Sequence, residues 1–293
     1  MGISIKTSEE IVILREGGKR LATVLAEVVS RAKDGMSTWE LDQLAEELIF
    51  AQGGKPSFKG YRIKDVGHAY PATLCTSVND EVVHSIPRKD RILQNGDIVG
   101  IDIGMWWPDP TLGSQLSTLK SRLSALGQHK KAKVERRESK VGDERLSLVT
   151  DMAVTIGIGE ISEEAERLLK VTKEALAIGI GAVKPGARVG NVSYAIQTYL
   201  DKHGLGIVRG LAGHGVGYEL HEEPLIPNYG QPNTGPELKE GMVIAIEPMA
   251  TLGGDDVVLG DDEWTFRTTD GSIAAHFEHS MVITRDGADV LTR

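Results

Sequence analysis

The chain has 293 residues, of which 40% are hydrophobic and 26% charged, and its formal net charge is −9. That length permits one large or two ordinary domains with a sizeable core, and no apolar run reaches the roughly 18 residues of a membrane helix. The acidic balance argues against nucleic-acid binding by the molecule as a whole, and the single cysteine, Cys75, excludes an intramolecular disulfide. Residues 1–6 carry no basic, apolar leader, and Lys6 defeats the myristoylation pattern, so the expectation is a cytoplasmic protein.

Thr7-Ser8-Glu9-Glu10 offers an N-cap for a helix running to about Ala32, with Ile11, Leu14, Leu21, Leu25 and Val28 on one apolar stripe. Gly35 ends it. Ser37 or Thr38 caps a second helix carrying Leu41, Leu44, Leu48 and Ile49, closed by Gly53-Gly54. Strands follow over residues 75–78 and 97–104, the second almost continuously apolar, as suits a strand buried on both faces. The plan then recurs: Ser162-Glu163-Glu164 caps a helix ended by Lys184-Pro185-Gly186, and residues 189–203 form another helix closed by Gly204.

The strands repeat as well. Gly96-Asp97-Ile98-Val99-Gly100-Ile101-Asp102 aligns with Gly241-Met242-Val243-Ile244-Ala245-Ile246-Glu247, each run ending in a carboxylate. Asp151-Met152-Ala153-Val154-Thr155-Ile156 aligns with Glu278-His279-Ser280-Met281-Val282-Ile283, each opening on one. Two halves thus donate two carboxylates each, and a pseudo-twofold axis between duplicated units is a natural place for a shared site.

Four carboxylates gathered without compensation would repel until some became neutral, and divalent cations are the usual remedy. Glu247 follows a largely apolar run, where an unpaired charge is expensive. The candidate nitrogen ligand is His214 in Gly213-His214-Gly215-Val216-Gly217, whose glycines allow close backbone approach. Oxygen-rich ligation with one imidazole suits Mn²⁺, Fe²⁺, Co²⁺ or Zn²⁺. Two such ions about 3.5 to 4 Å apart can bridge and deprotonate a water while polarising a carbonyl, which is amide or ester hydrolysis. No Gly-x-Ser-x-Gly elbow, phosphate-binding loop or His-Glu-x-x-His helix offers a competing chemistry.

Several motifs together resemble the type I methionine aminopeptidases of the pita-bread metallopeptidase clan. They are Cys75-Thr76-Ser77-Val78-Asn79-Asp80-Glu81-Val82-Val83-His84, the Gly96 to Asp102 run, Gly213-His214-Gly215-Val216-Gly217, His221-Glu222-Glu223-Pro224, Ile246-Glu247-Pro248-Met249 and Phe277-Glu278-His279. The resemblance implies an α+β pita-bread fold, with pseudo-twofold helix-helix-strand halves around a curved antiparallel sheet, as one catalytic domain over residues 1–293. It implies that Asp102, Asp151, His214, Glu247 and Glu278 bind two divalent cations, Asp151 and Glu278 bridging both. His84 and His221 fall where the family holds the scissile peptide and its tetrahedral intermediate. Glu247 resembles a proton shuttle, and Phe58, Tyr61, Tyr70, Cys75, Leu220 and Trp264 match or complete a methionine pocket. The implied substrate is the N-terminus of a nascent polypeptide with a small second residue, processed by a monomeric enzyme.

One departure is large. The two metal-binding aspartates are normally about ten residues apart in the family, whereas Asp102 and Asp151 are separated by an insertion at about 106–148. It carries Lys120, Arg122, Lys130, Lys131, Lys133, Arg136, Arg137, Lys140 and Arg145, a basic island in an acidic chain. Such an island could dock on ribosomal RNA or simply be a solvated loop. Asp109 and Asp143 are nearby acids, but Asp151 alone opens a strand-like run. A smaller insertion, residues 62–69, precedes Tyr70 and could reshape the pocket mouth. The competing functions are an Xaa-Pro aminopeptidase or prolidase-like enzyme of the same clan, which should show two metal histidines and a large N-terminal domain, and a pita-bread binding module without metals.

Overall fold

The computed structural model describes residues 2–64, 66–109 and 146–293. The nine basic residues of the expected island, and Asp143, lie outside the described residues.

Four helices stand among the described residues: α1 Ser8–Arg31, α2 Thr38–Ala51, α3 Glu163–Ala182 and α4 Val189–Lys202. A helix leaves its first N–H groups unsatisfied, and these chains supply the missing acceptors. The Thr7 hydroxyl accepts from Glu10 N while the Glu10 carboxylate accepts from Thr7 N, and Ser37 and Glu40 do the same for α2. Ser162 accepts from Ala165 N at the start of α3. Of the two caps the sequence offers for the second helix, Ser37 is the one used.

Among the described residues, nine strands build the main sheet. Its path runs β1 (Lys55–Pro56), β4 (Ile98–Trp107), β5 (Leu148–Gly157), β14 (Glu278–Thr284), β9 (Val243–Ile246), β7 (Ala212–Gly215) and β8 (Glu222–Pro227). Off this path β2 (Leu74–Val78) pairs with β4 and β15 (Gly287–Val290) with β14. Every pairing is antiparallel. Two small sheets flank it: β13 (Ala274–His276), β10 (Met249–Thr251) and β6 (Gly206–Ile207); and β11 (Val257–Leu259), β12 (Phe266–Thr268) and β3 (Glu81–Val83).

The duplication read from the sequence is visible as two adjacent antiparallel pairs, β4 with β5 and β14 with β9, which meet where β5 pairs with β14. Helices α1 and α2 pack together on one half, and α3 and α4 on the other. Because strand side chains alternate in direction, Ile101, Ile103 and Met105 of β4 are fully buried in the core beneath α1 and α2, while Asp102 points to the opposite face. Met281 and Ile283 of β14 lie likewise in the second core with Leu168, Leu176, Ile196 and Leu200.

The strand boundaries differ from the sequence expectation at one place. Asp102 does not end its strand and Asp151 does not open one, because Met105, Trp106 and Trp107 continue pairing with Thr150, Val149 and Leu148. The β4–β5 ladder therefore extends past the site before the chain enters the long insertion, and Trp106, Trp107 and Leu148 belong to the sheet.

Candidate metal centre

Five antiparallel strands bring four carboxylates and one imidazole to one patch of the sheet. Asp102 of β4 pairs with Ala153 of β5, and Glu278 of β14 pairs with the same Ala153 from the other side. Asp151 lies two residues from Ala153, hence on the same face. The β14–β9 register sets His279 opposite Ile246, so one further step puts Glu247 beside Glu278. His214 enters from β7, where Gly215 pairs with Ile244.

The glycines around His214 are there for space. A Cβ at Gly213 would stand 2.5 Å from the Ala245 carbonyl oxygen, and one at Gly215 would stand 2.4 Å from that of Glu223. Neither backbone oxygen can yield, so only glycine lets β7 sink far enough for the imidazole to reach the acidic patch.

His214 Nδ1 lies 2.9 Å from the Gly215 carbonyl, to which it donates, so that Nε2 is the ring atom turned toward the acidic patch. Nε2 faces Asp151 Oδ2 at 3.5 Å and Glu247 Oε1 at 3.7 Å. Two buried carboxylates converging on one imidazole nitrogen leave a place where a cation can stand between them. Ligand atoms at about 2.0–2.2 Å from one ion sit roughly 3 to 3.5 Å apart, close to what is seen. One donor atom each from Asp151, His214 and Glu278 lies within 4.8 Å of the others, and all three residues are buried. Asp102 Oδ1 is also buried without a hydrogen-bond partner. The residues therefore fit a divalent metal.

The electrostatics agree. Burial pushes the Asp102 carboxyl up to about 7, with Asp151 and Glu247 adding repulsion and His276 opposing it. Burial raises Glu247 to about 8, with His214 opposing and Asp151 adding. Burial, then the charges of Asp151, Glu247 and Asp102, hold Glu278 well above the usual carboxylate range. Asp151 is raised by burial too, against His214 and a 2.8 Å hydrogen bond donated by the Ser280 hydroxyl. Such a set of groups takes up protons in the absence of metal and exchanges them for cations.

Above the acidic floor a cavity of about 500 Å³, including its open mouth, is lined by Phe58, Tyr61, Ile63, Tyr70, Cys75, His84, Leu220, His221 and Trp264 as well as the five acidic and histidine donors. All thirteen residues singled out in the sequence thus surround one space. Tyr70 and Trp264 meet edge to face at 5.1 Å, and the Tyr70 hydroxyl donates to the carbonyls of Leu74 and Ser85. Buried Cys75 keeps its proton, because burial and then Asp102 raise its thiol pKa far above the ordinary value.

His84 and His221 stand at the rim. His84 adopts a left-handed backbone, φ 59°, a conformation that costs a non-glycine residue about 1–3 kcal/mol and clusters at functional sites. Burial, then His276 and His214, lower its pKa to about 4. His221 stacks edge-on to His214 at 4.4 Å, and its Nδ1 lies 2.7 Å from the Tyr61 hydroxyl. Desolvation of its inner edge, then the two neighbouring imidazoles, lower its pKa. Both rings are therefore neutral at pH 7. The loop before His221 is tied down by Lys6, whose fully buried ammonium pairs with Glu222 at 2.7 Å while Glu222 accepts from Tyr218 N and Glu219 N.

Sequence reasoning missed three neighbours. Ile63 comes from the small insertion at 62–69 and lines the cavity mouth. Ser280 braces Asp151, and its place two residues after Glu278 on a strand was the available signal. His276, two residues before Glu278, carried the same signal. Asp109 does not line the cavity; its backbone N–H bonds to the Gly53 carbonyl at 2.9 Å.

A curled antiparallel sheet with duplicated halves and a buried acidic floor beneath an apolar cavity defines a metallopeptidase of the pita-bread type. Residues 12–109 and 144–285 match the family model described as metallopeptidase family M24. The chain is 42% identical to methionine aminopeptidase 1 of Bacillus subtilis, over 99% of both chains, and 39% identical to a methionine aminopeptidase of Clostridium acetobutylicum, over 99% of this chain and 98% of the other. The crystal structure of a methionine aminopeptidase from Thermotoga maritima superposes with a TM-score of 0.82 at 39% identity, covering 100% of both chains. The chain belongs to metallopeptidase family M24, on its methionine aminopeptidase branch.

Proposed function

We propose that this chain is a metalloaminopeptidase that removes the initiator methionine from nascent polypeptides whose second residue is small. The observation that carries the reading is the convergence of Asp151 and Glu247 oxygens on Nε2 of His214 at the foot of an apolar slot. Two divalent cations of the Mn, Fe, Co or Zn type would be held by Asp102, Asp151, His214, Glu247 and Glu278, with Asp151 and Glu278 shared between them. When bound they supply a water nucleophile at neutral pH and polarise the scissile carbonyl.

The remaining roles fall to this chain's own groups. Phe58, Tyr61, Tyr70, Cys75, Leu220 and Trp264 bind the methionine side chain, an unbranched thioether suited to a narrow apolar slot. The acidic floor attracts the substrate's free α-amine, which restricts cleavage to the first residue. His84 and His221 donate hydrogen bonds to the reacting carbonyl as negative charge develops on it. Tyr61, donating to His221 Nδ1, keeps the ring proton on Nε2. Glu247 carries a proton from the nucleophile to the departing amine. The basic island supports a further contact with ribosomal RNA, tested by salt-dependent ribosome pelleting with and without residues 110–145.

The discriminating experiment is hydrolysis of Met-Ala-Ser against Xaa-Pro peptides, with and without added Mn²⁺ or Co²⁺. Metal-dependent release of Met from the first alone supports the reading. Preference for Xaa-Pro would favour the prolidase-like alternative, and inactivity on both would favour a binding module.

A further inference from the structure

We propose that His276 is a positioning residue for the metal centre, its Nε2–H holding one oxygen of Glu247 from behind the cavity so that the other faces His214. The inference rests on the reading of Glu247 as a metal ligand and extends it to a residue outside the liganding five.

His276 is 3% exposed, and its Nε2 is buried with no hydrogen-bond partner. That nitrogen lies 3.5 Å from Glu247 Oε2, while Glu247 Oε1 lies 3.7 Å from His214 Nε2. The two oxygens of one carboxylate are thus divided between two imidazoles. Unlike His84, His214 and His221, the His276 ring does not line the cavity, so it cannot touch substrate. Its reach is to the acidic floor, where Glu247 is the carboxylate within ion-pair distance of its Nε2 and the charges of Asp102 and Asp151 are also felt.

The backbone around His276 is fixed on two sides. Its N–H donates to Thr155 Oγ1 at 2.9 Å, and the Thr155 hydroxyl donates back to its carbonyl at 2.8 Å. This clamps it to β5, the strand that carries Asp151. On the other side His276 pairs with Met249 of β10, which starts two residues after Glu247. Alternation along the extended chain sends His276 and Glu278 to the same side, with Phe277 between them turned into the second core. A donor held by two strands and aimed at the remote oxygen of a ligand is the arrangement by which outer partners orient a ligand and strengthen its binding.

The test compares His276→Gln with His276→Asn in the full-length chain. A Gln amide reaches about as far as Nε2 of the imidazole, whereas an Asn amide stops short, and both variants stay polar at the buried site. Co²⁺ affinity is measured by calorimetry, together with the visible absorption of the Co²⁺-loaded protein, which reports ligand geometry independently of turnover. His276→Asn should weaken Co²⁺ binding by about 10- to 100-fold and change the spectrum, as loss of an outer partner does, while His276→Gln keeps most of both. Equal affinities in the two variants overturn the inference. Glu247→Gln is measured alongside. If it weakens Co²⁺ binding while His276→Asn does not, only the role of His276 falls; if Glu247→Gln leaves binding unchanged, the metal-ligand reading falls first.

Discussion

The floor and the rim of the cavity are built on different principles. Every donor on the floor rides on the main sheet or directly follows one of its strands, and Asp102, Ala153 and Glu278 stand in one cross-strand row. The rim comes mostly from connecting segments: Phe58, Tyr61 and Ile63 from the stretch after β1, Leu220 and His221 from the loop before β8, Trp264 from the turn before β12. Regular sheet geometry fixes charges that must not drift, whereas loops can vary the shape of an apolar slot without disturbing them.

The sharpest way to break that division is at the floor. Glu278→Gln should lower kcat/KM for Met-Ala-Ser by more than about 10³-fold and weaken Mn²⁺ binding measured by calorimetry, because it removes one of the four carboxylate charges of the floor. Chelation of the parent protein should abolish turnover, and added Mn²⁺ or Co²⁺ should restore it. A Glu278→Gln variant with parental metal affinity would erase the distinction between floor and rim.

At the rim, His221→Ala should lower kcat by on the order of 10²- to 10³-fold, as loss of a donor to a developing oxyanion does, with metal content unchanged. Metal loss in that variant would move His221 to the floor. A smaller effect, roughly tenfold in kcat, is expected for Tyr61→Phe, which removes only the hydrogen bond to His221 Nδ1. Its KM should stay nearly constant if the Tyr61 ring still walls the slot.

The smallest effect is a slope in stability. Asp102 and Glu247 have folded pKa values raised above their unfolded ones, so their contribution is complete in acid and is lost as pH climbs through about 7 and about 8. The Tm of metal-free protein, followed by calorimetry, should therefore drop by a few degrees between about pH 7 and 9. Saturating Mn²⁺ should remove the drop, and a metal-free Tm that rises across this interval would contradict the crowding of charge on the floor.

The same division explains what the sequence made legible. The helices announced themselves through Thr7, Ser37 and Ser162, whose side chains cap whatever tertiary structure follows. The floor was legible because duplication printed Asp102 and Glu247, and again Asp151 and Glu278, at matching places in two apolar runs. The extent of β4 was not, since Trp106 and Trp107 gain strand character only by pairing with residues beyond the insertion. Phe58, Leu220 and Trp264 carry no period or spacing that marks them, and the family resemblance alone suggested them. His276 stayed hidden because a lone histidine after two alanines looks like any core residue until the fold turns it toward Glu247.

All of this depends on cations at the meeting point of the five floor residues. Crystals grown with Mn²⁺ and measured on either side of its absorption edge test that directly. The account predicts two anomalous peaks about 3.5 to 4 Å apart, enclosed by Asp102, Asp151, Glu247, Glu278 and Nε2 of His214. A map with no peak there, or with only one at saturating metal, contradicts it.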